Sequence, residues 1–420
     1  MHPFLISEKK LLNQKYLNYL SIICSLMVPL LVLGPALPDL ILSLSSIWFL
    51  YFTIKNKIFR VYKNYYFYFF ILFCSWCILT SLLSSDIFFS LKSSLPYFRI
   101  GIFALLISFL IDHNKEIFKY FYFSFIITFL ILIIDGYFQY LTGYNLLGYK
   151  MANMRVSSFF KDELTLGSYL ARLFPLFFAI FVVRKNKKKL EILAVSILFV
   201  LIEVLIFLAG ERTSFVLLNL STIFIILFIT KYKFLRLTIF IISFLIIGYL
   251  VSHDDRYYSR YIKNPAESMG FHNSNIETKK YIFTESHDSI YKTAWKMFLD
   301  KPILGQGPRM YRVKCNDKNF STGKSPCHTH PHNFYIQLLA ETGLIGFLFL
   351  FFFKLHFIYI MASHTLNYFK KKKFLLSDYQ ICLLAGLLIT IWPITSSGNF
   401  FGNNLMMFYS LQIGFFRTKI

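Results

Sequence analysis

Acidic residues are scarce in this chain. Its 420 residues include 21 Asp and Glu against 44 Lys and Arg, a formal net charge of +23. Such an excess raises nucleic acid as a partner, but the basic residues fall in short clusters between apolar runs. That is the pattern of membrane orientation signals, and it excludes nucleic acid. The short polar–apolar alternation of barrel strands is also missing, which excludes a transmembrane β-barrel. No internal repeat is present, and no soluble domain stands apart from one polar connection.

What the chain has instead is apolar length. Hydrophobic residues make up 56% of it, and the mean hydropathy is +0.55. The fold class is therefore all-α, a polytopic transmembrane helical bundle forming a single integral membrane domain over 1–420. About twelve spans of bilayer length can be drawn, at 20–37, 39–54, 65–83, 96–111, 117–141, 164–183, 190–209, 213–230, 234–251, 336–361, 375–395 and 401–416. Aromatics reach 20%, with 51 Phe. In a chain also rich in Ile, Lys, Asn and Tyr this reads as composition bias, since lipid-facing Phe serves as well as Leu.

Positive charge sets the orientation. With Lys9, Lys10 and Lys15 in the cytoplasm, the inner connections hold Lys55, Lys57, Arg60 and Lys63, Lys115 and Lys119, Arg184 to Lys189, Lys231 to Arg236, and Lys370 to Lys373, with Arg417 and Lys419 in the tail. The short outer connections hold only Lys92, Lys150, Arg155, Lys161 and Arg212. Both termini are expected to be cytoplasmic. The basic, apolar N-terminus resembles a signal peptide, but a second apolar run follows at once, so an uncleaved first span is expected. One connection is long: residues 252–332 form a polar outer loop, and loops of that length in compact folds are usually functional.

Four of the six cysteines, Cys24, Cys74, Cys77 and Cys382, lie in apolar runs. The CxxC at 74–77 reads as small packing residues within a span. Cys315 and Cys327 are the two in the outer loop, where an oxidising compartment favours a disulfide between them. The stretch "CHTHPHNFYIQLLAETG" begins at Cys327. Alternate residues of an extended segment share a side, so His328, His330 and His332 invite comparison with a zinc site. Nothing in the sequence specifies the open position and outer hydrogen-bond partners that such a site needs, and no metal is expected.

The polar residues that need explaining gather on the outer side. Arg212 sits in the very short turn "AGERTSF", where Glu211 could pair with it locally. Arg155 opens "RVSSFFKDELTLGSYLAR" and Arg172 closes it, about two turns into a span, where it could instead snorkel. His287, Arg309 and Arg312 lie in the large loop, and His330 and His332 at its exit. Arginine offers a planar, permanently charged fork that matches phosphate oxygens. Asn333 is a good N-cap for a short outer-surface helix that runs into a span over 333–361, with Gly343 as an interruption. His332 stands at that helix N-terminus, where an imidazole stays neutral and can act as a base. Cationic forks and a base at a lipid–water boundary suggest glycosyl transfer from a diphosphate-bearing lipid.

These residues resemble the O-antigen ligase and Wzy-type polymerase superfamily of bacterial envelopes. The resemblance rests on "AWKMFLDKPILGQGP", "HPHNFYIQLLAETGLIGF", "RVSSFFKDELTLGSYLARLFPLFFAI" and "GERTSF", and covers about Arg155 to Phe347. It implies a multi-span enzyme of the inner membrane with a large periplasmic loop and a periplasmic active site. It implies metal-independent transfer from an undecaprenyl-pyrophosphate-linked glycan donor to lipid A–core or another glycan acceptor, with no cofactor. His332 takes the place of the family histidine, as base or leaving-group contact, and Arg212 that of the arginine in the short periplasmic turn, as pyrophosphate binder. Arg155, Arg172, Arg309, His287 and His330 are the further substrate-binding candidates. The second family arginine falls at His287, a departure that leaves its charge to a protonated His287, or to Arg155 or Arg309. A polymerase or a protein O-glycosylating enzyme would use the same donor. A lipid or polysaccharide transporter is the reading from another class, but Asp135, Glu203, Lys354 and His356 are scattered within the spans.

Overall fold

A computed structural model describes residues 13–269, 284–371, 374–394 and 396–416. Lys9, Lys10, Lys372, Lys373, Arg417 and Lys419, used above for orientation, lie outside the described residues. Among those described, the chain is helical, with two isolated antiparallel bridges and no strand. Twelve helical passages follow one another, and each overlaps one of the apolar runs.

The first passage is α1 (Gln14–Ser25) with α2 (Met27–Leu33). Pro29 lacks the N–H that would bond back to Ser25, and the released Ser25 carbonyl accepts the Ser124 hydroxyl at 2.7 Å instead. Then come α3 (Ala36–Lys55), α4 (Tyr65–Leu82), and α5 (Ile87–Ser94), which turns through Leu95–Tyr97 into α6 (Phe98–His113). The series continues with α7 (Ile117–Thr142), α8 (Leu166–Val183), α9 (Lys189–Leu208), α10 (Arg212–Phe228) and α11 (Lys233–His253). The long connection carries α12 (Asp255–Tyr258), α13 (Asn264–Ser268), α14 (Glu285–Asp300) and α15 (Tyr311–Lys314); α16 (Phe334–Lys371), α17 (Asp378–Thr390) and α18 (Asn403–Phe416) complete the chain. Among the described residues nine passages are long and apolar enough to cross a membrane, and α10 and α17 are shorter apolar helices.

The axis of the bundle is α8. Its apolar window is 83% buried, against 22% for α11 and 17% for α16, which face outward. Packing of α8 on α17, and of α6 on α3 and α18, makes the centre. Within lipid, apolar transfer gives little drive between helices, so close packing must supply it. Here Phe is central: Phe174, Phe177, Phe178 and Phe181 of α8 surround Phe199 of α9 with ring centroids 4.9–6.2 Å apart.

Four ionisable residues inside the passages have local partners. Asp135 accepts the Leu146 N–H at 2.8 Å, Glu203 pairs with Arg236, His356 meets the Tyr66 hydroxyl at 2.7 Å, and Lys354 lies 5.3 Å over the Tyr335 ring. Among the described residues no relay joins these four contacts. The basic connections gather at one end of the bundle, where Asp378 accepts the N–H groups of Thr230 and Lys231 at 2.8 and 2.7 Å. The large loop and the candidate residues occupy the other end.

Candidate functional site

The turn between α9 and α10 is Ala209-Gly210-Glu211. Gly210 has φ +68°, and a Cβ there would sit 2.7 Å from Arg155 Cγ and 3.0 Å from Arg260 Nε. Two guanidinium side chains therefore pack directly on a backbone only glycine allows. They are fixed by carbonyls: Arg155 donates to Ala209 O and Leu164 O, both at 3.1 Å, and Arg260 donates to Gly210 O at 2.7 Å. Burial lowers the pKa of each, and in Arg260 the Arg155 and Arg212 charges lower it further.

Glu211 does not pair with Arg212. Its Oε1 accepts the N–H groups of Gly167 and Ser168 at 2.8 and 3.2 Å, and its Oε2 accepts the Ser214 hydroxyl at 2.8 Å. The carboxylate thus caps the first turn of α8, where four backbone donors lack helical partners. Burial raises its pKa, and the Ser214 and backbone bonds and the charges of Arg155 and Arg172 offset part of that rise. Arg212, the first residue of α10, is exposed, and no carboxylate among the described residues pairs with it.

Across the same end, the large loop is clamped onto the start of α16. Gln306 and Gly307 donate to the carbonyls of Ala340 and Glu341 at 2.9 and 2.8 Å, and Leu344 donates to Pro302 O at 2.8 Å. The approach is close enough that a Cβ on Gly343, where the helix is broken at φ +67°, would meet Ile303 O at 2.1 Å. The Glu341 carboxylate accepts the Tyr311 N–H at 3.1 Å and the Gln337 amide at 2.9 Å. Gln337, Leu338, Ala340, Glu341 and Thr342 are fully buried, so residues 334–342 lie under the loop rather than along an open surface. Asn333 caps this helix, accepting from Tyr335 N at 3.0 Å and Ile336 N at 3.3 Å. The Cys315–Cys327 disulfide is formed, with Cα atoms 5.1 Å apart.

The histidines meet beside this clamp. His332 Nε2 lies 2.9 Å from His328 Nδ1, and its ring is 4.2 Å from that of His330 and 5.5 Å from that of His287. His332 takes φ +54°, unusual for a residue with a side chain and typical of strained functional positions. His330 is buried; its Nε2 faces Ser397 O at 3.2 Å, so that nitrogen carries the proton, and its Nδ1 meets the Thr329 hydroxyl at 2.9 Å. Burial and the other imidazoles push His332 down to about 3, and burial pushes His330 down to about 4. In His287 burial, then His328 and Arg212, lower the pKa. These shifts work against a positive charge on His287.

Both halves of the site belong to one end. The Arg212 charge reaches His287, and Thr213 Oγ1 lies 3.1 Å from Ser396 Oγ, whose neighbour Ser397 donates to His332 O at 2.6 Å. Arg155, Arg212, His287, His330 and His332 are thus brought together. Arg172 is buried below them against Ser168 and does not snorkel. Arg309 turns elsewhere, to Ser93 Oγ at 3.2 Å and over the Phe89 ring at 5.6 Å. Arg260 was missed by sequence reasoning; the signal was its place within a few residues of the end of α11, at the loop entrance.

Residues 196–351 match the O-antigen ligase family model. Over that stretch the resemblance drawn from the motifs is borne out. The match begins within α9 and ends within α16, so it contains Arg212, Arg260, His287 and all three clustered histidines. It supports a function of the O-antigen ligase and polymerase kind, in a membrane protein of glycosyltransferase-like type. No curated protein matches the chain.

Proposed function

We propose that this protein transfers a glycan from an undecaprenyl-pyrophosphate carrier to lipid A–core at the periplasmic end of the bundle, without a metal. The observation that carries this reading is the exposed Arg212 guanidinium, with no acidic partner among the described residues, at the end where four imidazoles meet. Arg212, with Arg155 and Arg260 behind it, holds the donor diphosphate. The acceptor hydroxyl attacks the anomeric carbon, the bond from that carbon to the diphosphate oxygen breaks, and the hydroxyl proton passes to His332.

A histidine near 3 is a weak base in the empty site. The donor changes that. A diphosphate placed among the guanidiniums brings negative charge beside the ring and raises its affinity for a proton. Base strength then appears only when the donor is bound. The same charge, growing on the leaving group, is met by arginine forks already in place.

The test is reconstitution in proteoliposomes with lipid-linked glycan, with and without core lipid. Glycan moved onto core supports the ligase reading. Longer carrier-bound chains formed without core would replace it with a polymerase on the same donor. Failure of both, with intact protein and verified donor, would sink the transfer reading.

A further inference from the structure

The histidine cluster holds lone pairs that the proposed reaction does not use. His328, His330 and His332 can each turn one ring nitrogen into a region where all three lie within 4.8 Å of one another. The Ser397 carbonyl holds the proton of His330 on Nε2 and so leaves a lone pair on Nδ1, beside the Thr329 hydroxyl. A ligating imidazole that donates its far N–H to a backbone carbonyl is the usual arrangement in metal sites, because it fixes the tautomer and the ring plane. His328 Nδ1 and His332 Nε2 lie 2.9 Å apart, with one proton between them at most, since two N–H groups could not face each other there. The Thr329 hydroxyl sits 2.9 Å from His330 Nδ1 and 3.3 Å from His328 Nδ1, and it can give its proton to one of them only. Three ring nitrogens thus converge on one place, with at most one proton shared between two of them.

We infer that His328, His330 and His332 form a binding site for a divalent transition cation of the zinc class, and that the ion inhibits the enzyme by occupying His332. The inhibition rests on the proposed role of His332; the binding does not. Zinc takes imidazole nitrogens at about 2.0–2.1 Å in tetrahedral sites, which sets ligand atoms roughly 3.3–3.5 Å apart. The rings need only a small adjustment, and exposed His328 is the one able to swing. The proton between His328 and His332 moves to the far nitrogen of its ring through water, with no net proton released. Thr329 gives up its contact with His330, and the fourth position stays open to water.

The surroundings favour a fixed site of modest affinity. Cys327, next to His328, is held in the disulfide and offers no thiolate. Arg312 donates to Thr329 O at 3.2 Å and Tyr311 to Pro326 O at 2.5 Å, which fixes the segment on both sides of the first histidine. The nearby guanidiniums of Arg312 and Arg212 oppose another cation and weaken the site.

The experiment uses the full chain in nanodiscs, stripped with EDTA and transferred to chelator-free buffer. Zinc is titrated against a chromophoric chelator, and the bound ion is examined by X-ray absorption. One zinc per chain with nitrogen and oxygen ligands is expected, with affinity weakened more than tenfold in His328→Ala and in His328→Gln. Zinc should stop glycan transfer by the wild type, EDTA should restore it, and transfer by either variant should resist the same zinc concentration. No zinc binding, a sulfur ligand, or unchanged binding in both variants overturns the site. Binding without inhibition of an active wild type overturns the claim that the ion occupies His332. Zinc bound by a chain that transfers no glycan under any condition would leave the metal site standing and remove the functional reading instead.

Discussion

Arg236 and Arg212 sit on neighbouring helices and make opposite use of the same side chain. Arg236, on α11, is completely buried; it pairs with Glu203, donates to Thr222 Oγ1 at 2.6 Å and lies 4.8 Å from the Phe174 ring centroid. Arg212, at the start of α10, is exposed, and the carboxylate beside it in sequence is engaged at the N-terminus of α8. A charge deep in a bundle must be matched by the protein, because no water will do it. A charge at the rim left without a protein anion can meet one from outside. What separates a structural arginine from a binding one here is where the nearest carboxylate has been committed.

The sharpest way to break the comparison is to exchange the consequences of losing a partner. Glu203→Leu strands the Arg236 charge and is expected to lower stability by about 3–5 kcal/mol, read as loss of folded protein in a detergent-stability assay. Glu203→Leu combined with Arg236→Met should recover most of that loss. A single variant as stable as wild type would mean that the pair is not buried from water. At the rim the expectation is reversed. Arg212→Ala and His332→Ala should each lower transfer by on the order of 100-fold to 1,000-fold, about 2.7–4 kcal/mol of transition-state stabilisation, with the thermal transition unchanged. Normal transfer by either variant would misplace the site.

The loop tests a smaller effect. Cys315 and Cys327 close a short segment that ends next to His328. Replacing both with Ser should reduce stability by about 2–4 kcal/mol, measured by unfolding without reductant. The midpoint of wild type should fall toward that of the variant when reductant is added, and an unmoved midpoint would remove the disulfide from the account.

The helices were legible because a span must be apolar along its whole length, and the runs at 39–54, 65–83 and 117–141 leave little choice of boundary. The span read as 96–111 is short because α5 ahead of it carries Lys92 and three serines, whose hydroxyls serve partners inside the protein, as Ser90 does with Pro308 O at 2.9 Å. Cys315 and Cys327 were legible by elimination. His332 and Arg212 were legible through residue type and place, with the motifs added. Other parts depended on contacts between segments distant in sequence. Glu211 looked like a partner for Arg212 because the two are adjacent, yet its contacts lie 43 and 44 residues upstream, on a helix end no local pattern identifies. The histidines suggested a metal, but the Ser397 carbonyl that fixes one tautomer comes from 67 residues later.

Arg260 is the residue on which the comparison turns most finely. It combines features of both arginines: partly buried like a structural residue, fixed to Gly210 O, yet close enough to Arg212 and Arg155 for the charges to interact. If it only supports the turn, Lys should fail as badly as Ala, because a lysine cannot give the same directed bond to the Gly210 carbonyl. If it adds positive charge for the donor diphosphate, Arg260→Ala should raise the KM for lipid-linked donor about tenfold, about 1.4 kcal/mol, and leave kcat within a few-fold. Arg260→Lys should then recover most of the affinity, and the difference between Ala and Lys should shrink as salt is raised. An equal loss in both variants, insensitive to salt and accompanied by a lower thermal transition, would return Arg260 to the same structural class as Arg236.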